Sequence, residues 1–199
     1  PLPQATLMAG HPGGITMGEH SDFFASRILN FILGGSGFTS RLTREMRTVR
    51  GYAYSARTSW GTTVDGERAL YALTETRNTN AIAALTLIHD IFQGMIDAPP
   101  LESESSIAKE KRRNSFLFEF ELPNQIVNRQ VSYLTRGLPR DWFERYLKGI
   151  GAISREQVYD VAKHYLRPKD FTFIVVGNGA ELRDGLSAFG PVQDIQLEG

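Results

Sequence analysis

The sequence predicts an α+β fold, a two-layer sandwich of helices on one face of a mostly antiparallel sheet. Strand-like texture occurs near both ends of the chain, and a block of helical patterns lies between the strand-rich stretches. The 199 residues suit one domain. The hydrophobic fraction of 41% with 11% aromatic residues is ordinary for a protein with a packed core.

The first half of the chain alternates strand and helix patterns. In order, we predict a strand at Ala5–Ala9, a turn at His11–Gly14, a helix at Ser21–Leu33, a helix at Thr39–Arg50, strands at Ala53–Trp60 and Arg68–Thr76, and a helix at Asn80–Ile96. Apolar side chains recur at helical spacing in the helices, and Leu42, Met46 and Val49 form one such stripe. Ser21 or Asp22 is the expected N-cap of the first helix.

The second half is mostly helical. In order, we predict helices at Glu102–Phe118, Asn124–Thr135 and Arg140–Leu147, a helix after Ser154, and a buried strand at Phe171–Val176. Ser154 and Gln157 have the spacing of a capping box, in which each residue bonds a free backbone N–H of the helix start. The helix that they open must end before Pro168, because the residue before a proline avoids helical backbone angles.

Charge and hydropathy exclude several classes of partner. Lys and Arg number 22, and Asp and Glu also 22, so no net field favours nucleic acid. Apolar runs are far shorter than the ~20 residues of a membrane helix, so no membrane partner is expected. The chain begins with Pro1 and has no signal-like segment, which suggests that residues 1–199 are cut from a longer polypeptide.

Metal, nucleotide and serine chemistry also find little support. The chain has no cysteine, and its four histidines are too scattered to share a helical turn, so we expect no metal site in this chain alone. Gly34–Gly37 superficially resembles a phosphate-binding loop, but a helix and not a strand precedes it. No Gly-x-Ser-x-Gly elbow is present for a serine nucleophile.

One stretch combines a glycine-rich turn, a basic helix and an aromatic strand. Arg47 lies away from the apolar stripe of its helix, and Tyr54 begins the next strand. Taken from the residues alone, the favoured interpretation is a surface arginine and a core tyrosine.

The same stretch resembles a known family. Leu33-Gly34-Gly35-Ser36-Gly37-Phe38-Thr39-Ser40-Arg41-Leu42, followed by Met46-Arg47 and by Arg50-Gly51-Tyr52-Ala53-Tyr54-Ser55, is similar to the C-terminal half-domain of insulinase/pitrilysin-type zinc metallopeptidases. Mitochondrial processing peptidase and bacterial relatives belong to that family. The likeness covers nearly the whole chain and implies a single C-terminal half-domain, 1–199, of two-layer α+β fold.

The resemblance also implies a function. This chain lacks the H-x-x-E-H motif of the zinc-bearing half. It would therefore be inactive alone and hold no cofactor, with zinc in a partner half-domain on the same polypeptide or on a separate subunit. By position Arg47 would bind the peptide substrate, and the Tyr54 hydroxyl would be catalytic by stabilising charge on the attacked carbonyl.

Two other functions stay open at this point. The chain could be a catalytically inactive structural or assembly subunit of the same fold, or an unrelated peptide- or protein-binding module. A dimer with the zinc-bearing half is expected and a homo-oligomer is possible. Localisation is unknown, with a preference for the bacterial periplasm over the cytoplasm.

Overall fold

A four-stranded antiparallel sheet organises the chain in a computed structural model that describes residues 3–118 and 122–195. The strands are β1 (Gln4–Pro12), β2 (Ala56–Thr62), β3 (Glu67–Arg77) and β4 (Thr172–Val176), in the spatial order β2-β3-β1-β4. Leu7 of β1 pairs with Thr74 of β3 on one side and with Val175 of β4 on the other.

Eight α-helices lie between and after these strands in the described chain. They are α1 (Ser21–Asn30), α2 (Arg41–Thr43), α3 (Ala81–Asp97), α4 (Glu102–Phe118), α5 (Pro123–Thr135), α6 (Trp142–Ala152), α7 (Arg155–Tyr165) and α8 (Gly179–Leu186). A π-helical turn extends α1 over Phe31–Gly35, and another extends α2 over Arg44–Val49. The wider π turn accommodates an extra residue and is frequent at functional positions.

The helices cover one face of the sheet. Alternate residues of β1 and β3 turn to that face and are fully buried, as expected for a strand with one solvated side. The opposite face stays open, and Ile174 and Val176 of β4 are 55% and 57% exposed there. The predicted α+β class, with helices on one face of an antiparallel sheet, is therefore confirmed.

Aromatic side chains join α1 to α6. The Phe23 and Phe24 rings lie 6.0–6.4 Å from those of Trp142 and Tyr146. Such offset and edge-to-face ring pairs add to the stabilisation from burial. The junction fixes the start of α1, and hence the helix that leads to the glycine-rich turn.

Two local predictions were wrong, and one helix was missed. β1 continues through His11 and Pro12, where a turn was predicted. The His20 ring, and not Ser21 or Asp22, caps α1 by accepting the Phe23 N–H at 3.2 Å. Helix α8 follows the last strand and had no counterpart in the sequence interpretation.

His11 is held as a neutral imidazole at the end of β1. The residue is 3% exposed, its Nε2 accepts the backbone N–H of Arg167 at 3.2 Å, and its Nδ1 therefore carries the proton and donates to the Pro12 carbonyl at 2.6 Å. Burial lowers the pKa of His11; the Pro12 carbonyl partly opposes this, and the Arg167 charge adds to it. Protonation of His11 at Nε2 would remove the acceptor for the backbone N–H of Arg167.

We expect this histidine to make the protein less stable in mild acid. Because the folded-state pKa lies below the unfolded value of about 6.5, unfolding takes up a proton as pH falls past that value, and the stability present above it is lost down to the folded pKa. Thermal melts between pH 8 and pH 5 measure the slope. His11→Gln should flatten it, whereas His89→Gln, on the surface of α3, should not; equal slopes in all three proteins would contradict the assignment.

Whether a helix is suited to span a membrane depends on its length and apolarity. Within residues 3–118 and 122–195 no single helix has the length and apolarity to cross a bilayer, and only the pair 78–97 and 102–115, bent by 104°, meets the criteria together. Leu85, Ile88 and Phe92 of α3 are completely buried in the core. The apolarity of this pair therefore includes that of a core helix.

Candidate functional site

The glycine-rich turn begins where α1 meets the sheet. Gly34 is buried against β2, and a Cβ added to it would lie 2.6 Å from the Thr58 backbone nitrogen and 2.7 Å from the Thr58 side chain. The Thr58 hydroxyl donates to the Asn30 side-chain oxygen at 2.9 Å, which ties the end of α1 to the same strand. Glycine at position 34 therefore lets the turn lie directly on the strand.

The tip of the turn is shaped by its own hydrogen bonds. Gly37 has a left-handed φ of +61°, which glycine adopts without a steric penalty. Ser40 donates to the Gly37 carbonyl at 2.8 Å and caps α2 by accepting the Thr43 N–H at 3.4 Å. These contacts place Phe38 at the surface, where it is 69% exposed.

Four arginines three residues apart, Arg41, Arg44, Arg47 and Arg50, lie on helix α2, its π turn and the cap that follows. Arg41 makes a bidentate pair with Glu104 of α4, at 2.8 and 2.7 Å. Burial alone would raise the pKa of Glu104, but the hydrogen bonds from Arg41 and from the Leu101 N–H outweigh it and hold that pKa below its ordinary value. This pair fixes the orientation of α2.

Arg47 differs from the other three arginines. Arg44 and Arg50 both form ion pairs with Glu45. In the described part of the chain, Arg47 has neither an acidic partner nor a hydrogen-bond acceptor. Its guanidinium N–H groups are therefore available to a ligand.

The chain returns to the sheet through a second left-handed glycine. Gly51 has φ +63°, and the next two N–H groups, of Tyr52 and Ala53, both donate to the Met46 carbonyl at 2.8 and 3.3 Å. From β3, the Thr76 hydroxyl donates to the Tyr52 carbonyl at 2.6 Å. Tyr54 leaves this anchored segment with its side chain outward and is 80% exposed.
 Exposure of Tyr54 corrects the interpretation drawn from the residues alone, which placed it in the core. Val49 is also exposed, at 61%, whereas Leu42 and Met46 are fully buried, so the predicted apolar stripe ends at Met46. The π turn explains the difference, because its wider spacing rotates residue 49 away from the stripe of a regular helix.

The two residues singled out in the sequence meet in space. The guanidinium carbon of Arg47 lies 4.4 Å from the centre of the Tyr54 ring and 4.4 Å from that of Phe38. Both distances are typical of cation–π contacts. We call this three-residue group, Phe38, Arg47 and Tyr54, the aromatic clamp.

Phe38 was missed as a site residue in the sequence interpretation. The available signal was a large apolar side chain directly after Gly37, in a turn where it has no core to join. Its contact with Arg47 joins two residues nine positions apart and depends on the left-handed backbone of Gly37.

Metal binding by this chain finds no support in the described residues. Among residues 3–118 and 122–195 no group of three or more His, Asp or Glu side chains is placed to hold a metal ion. His11 is buried in β1 and His20 caps α1, so both imidazoles have structural roles.

The solved structures that share this fold include two inactive peptidase domains. The chain superposes on a peptidase M16 inactive domain from Pseudomonas fluorescens with a TM-score of 0.76 and 23% identity, covering 86% of this chain and 40% of that one. It also superposes on an inactive peptidase domain assigned to a zinc protease of Bordetella parapertussis, with a TM-score of 0.75 and 13% identity. That match covers 88% of this chain and 93% of the other. The chain thus has the fold of an M16-type inactive peptidase half-domain, and the resemblance is confirmed at the level of the fold.

A curated protein shows similarity in sequence. The chain is 27% identical over 157 residues to the non-peptidase homolog YmxG of Helicobacter pylori, covering 79% of this chain and 36% of that protein. The chain therefore spans little more than a third of that relative's length. No protein-family model matches the sequence.

Proposed function

We propose that the chain is the substrate-binding, zinc-free half of a zinc metalloendopeptidase, and that residues 1–199 form one half-domain of it. Arg47 binds the peptide substrate, and the Tyr54 hydroxyl acts on the carbonyl that is hydrolysed. The zinc belongs to a partner half-domain, on the same polypeptide or on a separate subunit. One observation carries the proposal: Arg47 and Tyr54 lie in contact at the surface, with no hydrogen-bond partner for either polar group in the described chain.

The chemistry of the pair suits a peptide bond. A guanidinium is permanently charged and presents several N–H donors in one plane, which can hold a backbone carbonyl in a fixed orientation. A tyrosine hydroxyl is a neutral donor. When a peptide carbonyl is attacked, negative charge grows on its oxygen, and a donor already in place stabilises that charge without reorganisation.

Local charge supports a binding role for Arg47 in particular. The three neighbouring arginines all form ion pairs, with Glu104 for Arg41 and with Glu45 for Arg44 and Arg50. These three therefore contribute to the structure of the turn. An uncompensated arginine held between two exposed rings has no evident structural task. Both rings are exposed, at 69% for Phe38 and 80% for Tyr54, so they are accessible to a ligand or partner.

Substitution of Arg47 tests the proposal. In the enzyme assembled with its zinc-bearing half, Arg47→Ala should raise KM and also lower kcat, because the guanidinium holds the peptide in both the ground state and the transition state. A hydrogen bond to a charged group is worth about 1.5–3 kcal/mol, so kcat/KM should fall roughly 10- to 100-fold. Steady-state hydrolysis of a fluorogenic peptide measures both constants.

Arg44→Ala is the matched control. Arg44 lies three residues earlier on the same turn, its side chain is 60% exposed, and its partner Glu45 keeps Arg50 after the substitution. This variant should hydrolyse the peptide as the wild type does. Equal losses in Arg44→Ala and Arg47→Ala would show a general effect of the basic turn and would remove the specific role of Arg47.

A second function has one observation in its favour. The Helicobacter pylori relative is described as a non-peptidase homolog, so the same fold occurs without peptidase activity. In that case the chain would be a structural or assembly subunit. Light scattering of the chain with its partner half would then detect a complex that hydrolyses no peptide, and Arg47→Ala would leave the complex intact.

A further inference from the structure

Phe38 and Tyr54 approach Arg47 from different sides. Each ring centre lies 4.4 Å from the guanidinium carbon, yet the two rings make no contact with each other in the described residues. Two rings on the same side of a guanidinium at that distance would touch. The guanidinium therefore lies between the two rings, and its N–H groups make no hydrogen bond within the described residues.

We propose that Phe38 is a positioning residue for Arg47, an inference that rests on the proposed function of this site. The Phe38 ring holds the guanidinium against Tyr54 and restricts ligands to its N–H edge. A planar acceptor such as a peptide carbonyl approaches along that edge, whereas stacking on the guanidinium face is blocked. Without the second ring, the side chain of Arg47 is free to take many rotamers that point its donors elsewhere.

The benefit is pre-organisation. A free arginine side chain loses considerable rotamer freedom when it binds a ligand, and a side chain already ordered by cation–π contacts loses less. Because the contact is made before substrate arrives, its effect belongs to binding more than to the chemical step. Removal of the Phe38 ring should therefore change KM more than kcat.

Phe38 is well suited to a test because the fold does not depend on its ring. The side chain is 69% exposed. The turn around it is held by other groups, through the Ser40 contact with the Gly37 carbonyl and a 2.9 Å contact between the Ser36 and Thr39 hydroxyls. Phe38→Leu should therefore fold and melt as the wild type does.

The clamp can be measured directly, without any activity. Protons on the Arg47 side chain lie over two aromatic rings, so their NMR resonances should be shifted upfield by ring currents in this chain. Phe38→Leu should remove about half of that shift, since one of two rings at equal distance is lost. Phe38→Tyr should retain it. An Arg47 spectrum that is the same in wild type and Phe38→Leu would overturn the proposal.

Kinetics of the assembled enzyme provide the second measurement. Phe38→Leu should raise KM about two- to fivefold with a smaller effect on kcat, as expected for loss of one exposed cation–π contact. Phe38→Tyr should restore KM. In an Arg47→Ala background, Phe38→Leu should add nothing, because the residue on which it acts is absent. Val49→Ala, 61% exposed on the same turn, is the control and should match the wild type.

The outcomes separate this proposal from the proposed function. If Arg47→Ala leaves hydrolysis unchanged, the substrate-binding role of the site is wrong, and the NMR shifts alone decide whether the clamp exists. If Arg47→Ala raises KM but Phe38→Leu does not, the site is correct and the positioning role of Phe38 is overturned. Additive effects of the two substitutions would also overturn it.

Discussion

Tyr54→Phe is expected to lower kcat by roughly 100-fold while KM changes little, because removal of one oxyanion donor typically costs that much in the chemical step. The substitution removes only the hydroxyl. The ring remains, so the cation–π contact with Arg47 at 4.4 Å should persist. A loss of rate then reports the hydroxyl and not a disordered clamp.

Stability should not change in this variant. Tyr54 is 80% exposed, and within the described residues its hydroxyl has no hydrogen-bond partner that the substitution would orphan. Thermal melting of Tyr54→Phe should therefore coincide with that of the wild type.

Tyr52→Phe is the matched control for the hydroxyl. Tyr52 lies two residues away and is only partly exposed. The Tyr52→Phe variant should hydrolyse peptide at the wild-type rate. Wild-type kcat in Tyr54→Phe would show that the assignment by position is wrong, and Tyr52 would then be the next candidate. Comparison of Tyr54→Phe with Arg47→Ala separates binding from chemistry, because of these two variants Arg47→Ala should raise KM and Tyr54→Phe should not.

Strong periodic patterns made most of the fold predictable. Helix α3 has apolar residues at helical spacing and ends before Pro99 and Pro100, and its predicted and observed bounds differ by one residue at each end. The Ser154 capping box was also found, and the Gln157 side-chain oxygen accepts the Ser154 N–H at 2.8 Å. Local hydrogen bonding and burial point to the same structure in these segments.

The errors occurred where tertiary contacts override local chemistry. His11-Pro12-Gly13 has the composition of a turn, but β3 pairs with β1 as far as Pro12, and the His11 ring is buried beneath Arg167. These partners are 57 or more residues away in sequence. Helix α8 was missed because its polar pattern is short, and Asn178 opens it by capping the Ala180 N–H.

Two of the three residues of the aromatic clamp were predictable from the sequence, but their arrangement was not. Spacing and resemblance singled out Arg47 and Tyr54, but exposure of Tyr54 and its contact with Arg47 depend on the left-handed turn at Gly51. Within the described chain Arg47 has no acidic partner, because Glu104 pairs with Arg41 and Glu45 pairs with Arg44 and Arg50. A sequence shows the charges but not their pairing.

Gly34→Ala is expected to have the largest effect on stability. The added Cβ would lie 2.6 Å from the Thr58 nitrogen, a backbone atom in a paired strand that cannot move aside as a side-chain tip can. Overpacking of this kind costs about 1–3 kcal/mol. For a chain of this size, each kcal/mol lowers Tm by roughly 2–4 °C, so the expected loss is about 2–12 °C.

Gly94→Ala is the matched control. Gly94 lies within α3, and no atom lies within 4 Å of the position that its Cβ would take. This substitution should raise stability by roughly 0.5–1 kcal/mol, because alanine loses less conformational freedom than glycine on entering a helix. Opposite shifts of Tm in the two variants would show that position 34 requires glycine for space, since the chemical change is the same in both. If Gly34→Ala melts with or above the wild type, the turn does not lie against Thr58 as described, and the placement of the aromatic clamp would have to be revised with it.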